Sequence, residues 1–187
     1  MSAMSPKPVA PHDGLSRAAS ALDRLAMLSG WLVGWMLVPM ILSLTFEVVS
    51  RYGFGSPTVW AYDMTFMLFG AFFMLGAAYT LQRDGHIRTD MFYGEWSPRR
   101  QGMADLAGYV VFFLPLVLVF MVTGWEYFHK AWTSNERFVS SPWMPVTWPF
   151  RLVMPVTGAL LLVQGVAEML RCVAAIRHNA WPERKTA

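Results

Sequence analysis

The chain has 187 residues, of which 55% are hydrophobic and 14% charged, and a fold this small leaves too much surface exposed to hide that much apolar side chain from water. The composition therefore excludes an ordinary soluble domain and points to a bilayer as the second solvent. The net charge of +3 comes from arginines and lysines in blocks between apolar runs, not on one face or stripe, which argues against a nucleic-acid binder, and the single cysteine, Cys172, excludes an internal disulfide and a cysteine-based metal cluster.

In chain order, Met1 to Arg24 is polar and rich in Pro, Ala and Ser. It does not resemble a cleaved signal peptide, because the apolar run that follows is longer than a signal core and ends in Glu47; that run is expected to stay as a signal anchor. Residues 1–13 read as a disordered cytoplasmic tail. From Gly14 onward Leu15, Ala18, Ala19, Leu22 and Leu25 recur at helical spacing, with Ser16, Arg17, Ser20, Asp23 and Arg24 opposite, which predicts a short N-terminal interfacial helix up to Arg24. The first span, about Leu25–Phe46, carries no charge and at ~1.5 Å per residue crosses a ~30 Å hydrocarbon core. Gly53 and Gly55 break it, and Ser56 with Pro57 predicts a capped start to the second helix, spanning about Trp60–Leu81. The polar stretch Gln82–Asp105 follows, where Ser97 and Pro98 repeat the start signal. The third span is about Leu106–Trp125, with Pro115 predicting a kink. Glu126–Arg151 interleaves Trp132, Trp143 and Trp148 with Pro142, Pro145 and Pro149, and reads as a loop along the membrane–water boundary, where Trp is favoured. The fourth span, about Trp148–Leu170, contains Pro155 as a second expected kink, and residues 173–187 form a charged cytoplasmic tail. The fold class is thus an all-α membrane protein with a four-helix transmembrane domain over 14–172. No internal repeat is visible, so an inverted-repeat transporter core is not expected.

Charge sets the orientation. Lys7, Arg17 and Arg24 precede the first span; Arg83, Arg88, Arg99 and Arg100 join the second to the third; Arg171, Arg177, Arg184 and Lys185 follow the fourth. The other side has Arg51, Lys130, Arg137 and Arg151. This excess predicts an N-in, C-in arrangement, with both termini and the middle connection cytoplasmic.

The chemistry-bearing residues are few. His12, His86, His129 and His178 all lie outside the expected spans, which argues against haem ligation and hence against a membrane anchor subunit of a redox complex. A small self-sufficient channel is the other alternative, but the spans lack the charge chains that mark ion paths, and every ionisable group is expected near a helix end. A four-span protein of the claudin sort would need an outer-loop disulfide that one cysteine cannot form. Glu47 and Arg51, four apart, are expected to pair, and Arg51 is placed to bridge Glu47 and Asp63 across the first connection. Arg83, Asp84, His86, Arg88 and Asp90 form a polar knot after the second span, read either as a solvated loop or as a docking surface. Small residues (Gly70, Ala71, Gly76, Ala77 and Ala78; Gly158, Ala159 and Gly165) permit close helix packing.

Four stretches together resemble a known family: Glu47-Val-Val-Ser-Arg51-Tyr52; Gly55-Ser56-Pro57-Thr58-Val59-Trp60-Ala61; Gly70 to Ala78 leading to Arg83-Asp84-Gly85-His86-Ile87-Arg88-Thr89-Asp90; and the loop around Ser141-Pro142-Trp143 and Trp148-Pro149. Over Leu25–Arg171 the chain resembles the small permease subunit of tripartite ATP-independent periplasmic (TRAP) transporters, the DctQ type. The resemblance implies a non-enzymatic scaffold subunit in a bacterial inner membrane. Its partners would be a large TRAP permease subunit, a periplasmic substrate-binding protein that delivers organic acids, and membrane lipid. No cofactor is expected, and sodium coupling would belong to the large subunit. By the same resemblance Glu47, Arg51, His86, Arg88 and Asp90 serve structure and subunit contact; Asp63 stands where the family leads one to expect Glu. Since the chain closes at Ala187 after a charged tail, it is expected to be the separate rather than the fused form.

Overall fold

A computed structural model describes residues 30–31, 33–82, 96–139 and 142–181. Helix α1 (Leu37–Val48) runs into a π-helical turn, Val49–Gly53. Helix α2 covers Ala61–Gln82. Helix α3 (Pro98–Gly108), a second π-helical turn (Tyr109–Phe113) and α4 (Leu114–Thr133) form one continuous rod, and α5 covers Trp148–His178. Four helical stretches, Val33–Gly53, Ala61–Leu81, Pro98–Thr133 and Trp148–His178, are long and apolar enough to cross a membrane. The expected interfacial helix, the N-terminal tail and the polar knot at His86, Arg88 and Asp90 lie outside the described residues.

Three helices outrun their expected spans. The first continues past Phe46 to Gly53, the third past Trp125 to Thr133, and the fourth past Leu170 to His178. Hydropathy marks where the bilayer is expected to end, whereas a helix continues wherever its backbone stays paired and its side chains find neighbours. In α5 the continuation is held by Cys172, Ala174 and Ala175, all buried, so the segment taken as the start of the tail belongs to the bundle. Asn179 then stops the helix in a left-handed conformation (φ 47°), and its side-chain oxygen accepts the Arg99 N–H at 3.1 Å. One residue thus ends α5 and satisfies a free donor at the start of α3. Pro98 sits in the first turn of α3 as expected, but Ser97 makes no side-chain cap bond.

The expected cap at Ser56 is also not formed. Helix α2 opens at Ala61, and Ser56 lies in the preceding turn, its N–H on the Ser50 carbonyl (3.0 Å) and its own carbonyl accepting the Ser50 hydroxyl (2.5 Å). Gly55, at φ 62°, supplies the left-handed step this turn needs. Ahead of Pro115 the backbone adopts the π-helical turn Tyr109–Phe113. A proline lacks the N–H for the preceding turn and collides with the carbonyl four residues back, and a widened turn accommodates both.

Helix α5 packs against α2, α3 and α4, whereas α1 packs against α2, so the spans lie in the order first, second, fourth, third. The fourth is central: 44% of its most apolar stretch is buried, against 17%, 12% and 6% for the first, second and third. Lipid tails are as apolar as leucine, so close backbone approach must supply the attraction. A Cβ added at Gly158 would lie 2.9 Å from Met121 Cβ, and one at Gly124 would lie 3.2 Å from the Pro155 nitrogen. Gly165 lies under the Phe113 ring, and Gly70 lets Phe150 of α5 reach α2.

Candidate functional site

Polar side chains gather at three places in this apolar bundle. The first is where α1 meets α2. Glu47 and Arg51 face the same way across the helix-to-π-turn junction, and Arg51 donates Nε–H to Glu47 Oε1 at 2.7 Å, with Nη2 on the same oxygen. Glu47 Oε2 accepts the Thr58 N–H at 2.9 Å and the Thr58 hydroxyl. The carboxylate therefore fastens the end of the first span to the connection leading into the second. One turn deeper, Ser43 donates to the Ala61 carbonyl (3.2 Å), as does Thr65 (2.8 Å). The Arg51 side chain is 52% exposed and that of Glu47 11%, so the guanidinium reaches outward from a largely covered carboxylate.

Asp63 is buried one turn below Thr58. It lines a cavity of about 460 Å³ together with Thr58, Val59, Tyr62, Phe66, Phe138 and Pro142. The expected bridge from Arg51 to Asp63 is not made. Arg51 is turned to Glu47, and Thr58 supplies the link to the second helix that Asp63 was expected to provide.

The second place is the loop between α4 and α5, where Arg151 donates to both Glu136 oxygens (2.9 and 2.5 Å) and lies over the Tyr127 ring at 5.4 Å from its centroid. The Glu136 carbonyl accepts the Thr147 N–H (2.9 Å) and hydroxyl (3.0 Å), and Arg137 bridges to Val146. This part of the Trp/Pro segment is a closed turn, and Glu126–Thr133, expected as loop, is helix. The Arg151–Glu136 pair has no regular sequence spacing that would have announced it.

The third place lies inside α5. Gln164 Nε2 donates to Glu168 Oε1 at 3.1 Å, and Arg171 Nη1 to the same oxygen at 2.5 Å. The Glu168 and Arg171 side chains are only 3% and 6% exposed. Ionisable groups were expected only near helix ends; this pair sits within the bundle because α5 runs on to His178 and packs against α3. The spacing 164, 168, 171 along one helical face was the available signal. His129 and His178 fall within the last turns of α4 and α5, and among the described residues no group of three or more His, Cys, Asp or Glu is placed to hold a metal.

Compared with protein-family models, residues 40–175 match the DctQ component of tripartite ATP-independent periplasmic transporters. The chain belongs to this family. A comparison with curated proteins returns no match. The matched stretch opens within α1 and closes in α5 beyond Arg171, so all three polar places lie inside the DctQ region. The family is a transporter component and not an enzyme family, and the four apolar helices make this DctQ component a multi-pass membrane protein. Between the polar places the spans carry no charge: none from Met64 to Leu81, from Leu106 to Trp125, or from Leu152 to Ala167.

Proposed function

We propose that the chain is the small scaffold subunit of a sodium-coupled TRAP transporter that imports organic acids. A periplasmic protein would deliver the substrate, and a large permease subunit would carry the substrate and sodium sites. The excess of Lys and Arg on one side supports a bacterial inner-membrane placement with both termini in the cytoplasm. The observation that carries the reading is the DctQ match across 40–175. The bundle agrees with it: the stretches between the polar places are uncharged, while α1 and α4 present long apolar faces, including Ile41, Leu42, Leu116 and Val119. The role is mechanical. A bundle closed by Glu47–Thr58 at one end and by Asn179–Arg99 at the other widens the footprint against which a moving partner slides. Glu47 and Arg51 act in structure and subunit contact, and so do Asp63, His86, Arg88 and Asp90. The turn from Ser134 to Thr147 lies on the periplasmic side in this orientation and is assigned a part in docking the binding protein.

The test is a mild-detergent pull-down of tagged protein from its native membrane with mass identification. A stoichiometric multi-span partner, followed by sodium-gradient uptake that needs both subunits and the periplasmic protein, is the expected result. Recovery of the chain alone, or with a haem or iron–sulfur protein, would overturn the reading.

A further inference from the structure

The first turn of α3 carries Arg99 and Arg100 and no acidic residue. It is the positive end of a helix dipole, where cations are disfavoured and an anion is stabilised. Both side chains are exposed, and neither guanidinium has a partner among the described residues; Asn179 takes only the Arg99 backbone N–H. The end of α5 lies beside this turn. A Cβ added at Gly102 would lie 3.0 Å from the Cys172 carbonyl and 3.1 Å from Ile176, and Trp181 Nε1 donates to Gln101 Oε1 at 2.8 Å. The negative end of the α5 dipole already has Arg177 and His178 in its own last turn, and exposed Arg177 likewise has no side-chain partner among the described residues. The described carboxylates toward this end are Asp105, more than one turn further along α3, and Glu168, which holds Arg171. Three guanidiniums thus collect where two clasped helices end.

Depth places these groups at the lipid headgroups. The uncharged stretch Leu106–Trp125 is about 30 Å long at ~1.5 Å per residue, the thickness of the hydrocarbon core. Arg99 and Arg100 lie about 10 Å beyond it by the same rise, in the outer headgroup layer, and an arginine stem reaches back toward the phosphates. Trp96, with 46% of its surface exposed, stands just before the turn, as expected of a ring at the membrane–water boundary. From Arg99 inward, Met103, Ala107 and Val110 follow at helical spacing and are all exposed. An apolar strip therefore runs from the guanidiniums toward the bilayer interior, in the order of a phospholipid's phosphate and acyl chain.

We propose that Arg99, Arg100 and Arg177 bind the phosphate of one anionic phospholipid, with an acyl chain along Met103, Ala107 and Val110. Net charge decides the selection. A glycerol headgroup leaves its phosphate uncompensated, whereas ethanolamine and choline headgroups bring a cation of their own up to the arginines. A free phosphate would meet the guanidiniums but has nothing to lay along the strip. Bound there, the lipid neutralises the excess charge and ties the α3–α5 junction to the membrane surface. The site requires only that the chain lies in a membrane, so its failure would leave the transporter reading intact.

The experiment is native mass spectrometry of the full-length chain in detergent, with phosphatidylglycerol, phosphatidylethanolamine and phosphatidylcholine supplied in equal amounts. The expected result is preferential retention of phosphatidylglycerol, falling on the order of fivefold with each of Arg99→Gln and Arg100→Gln. Both side chains are exposed, and glutamine leaves the backbone N–H on Asn179, so these variants keep the helix end intact. Arg177→Gln repeats the test from the other helix. Lys130→Gln removes an equal charge in the last turn of α4, at the far end of the same rod, and leaves the preference unchanged. Inorganic phosphate in excess does not displace the lipid. Equal retention of the three lipids by the wild type, an unchanged preference in the Arg99→Gln/Arg100→Gln double variant, an equal loss in Lys130→Gln, or displacement by inorganic phosphate would overturn the proposal.

Discussion

The Glu47–Arg51 pair and the Glu168–Arg171 pair contain the same two residue types, but one reaches out of the bundle and the other is enclosed by it. Arg51 is half in solvent or headgroups, and its carboxylate is also held by Thr58; Arg171 and Glu168 are almost wholly covered. Exposed ion pairs contribute little, because their charges remain screened and solvated. Buried ones are different in kind: the pair as a whole adds little stability over an apolar replacement, yet removing one partner strands a charge in a low-dielectric interior. The first pair is therefore a fastener between two helices, and the second a constraint on how α5 sits among its neighbours.

The largest expected effect tests the buried pair. Arg171→Met is expected to cost about 3 kcal/mol or more, read as a drop in the melting temperature of the detergent-solubilised protein, while Glu168→Met/Arg171→Met recovers most of that loss. Equal damage from the single and double variants would show that the pair is not the reason for Arg171. Next comes the packing that encloses this pair. Gly158→Ala drives a methyl into the Met121 backbone and side chain and is expected to cost about 1–3 kcal/mol by the same measurement. At the open pair, Arg51→Ala is expected to cost about 1 kcal/mol or less. Arg51→Glu places two like charges four residues apart and should lower the yield of the assembled complex more than Arg51→Ala does. Normal assembly of Arg51→Glu with loss of substrate affinity alone would move this residue from structure to transport. The smallest effect has the opposite sign. The buried Thr157 hydroxyl has no hydrogen-bond partner among the described residues, so Thr157→Val is expected to raise stability by up to about 1 kcal/mol.

The same contrast explains what could be read in advance. Glu47 and Arg51 were legible because an i, i+4 pair of opposite charges closing an apolar run is a local pattern. Pro98 was legible as a helix start for the same reason. Asn179 capping Arg99 was not, since the two are 80 residues apart, and neither was Thr58, whose role depends on a turn that Gly55 and Ser50 shape. Asp63 was singled out as a partner for Arg51, but its burial beside Phe138 depends on a loop from the other hairpin.

The amino-acid sequence by itself determined that the chain has four apolar helices, where the α2 and α3 helices begin to within a few residues, and which family it belongs to. Length and hydropathy act locally and survive any arrangement of the helices. Only the tertiary structure decided that the fourth span is the central one, that its helix runs to His178, and that Glu168 and Arg171 are enclosed. The physical reason lies in the solvent. In water an apolar stripe marks the face a helix buries, whereas in a bilayer both the lipid and the protein interior are apolar, so the helix periodicity no longer distinguishes them. Which faces meet is then settled by shape, through glycines that admit Met121 and Phe113, and that complementarity appears once the helices are side by side.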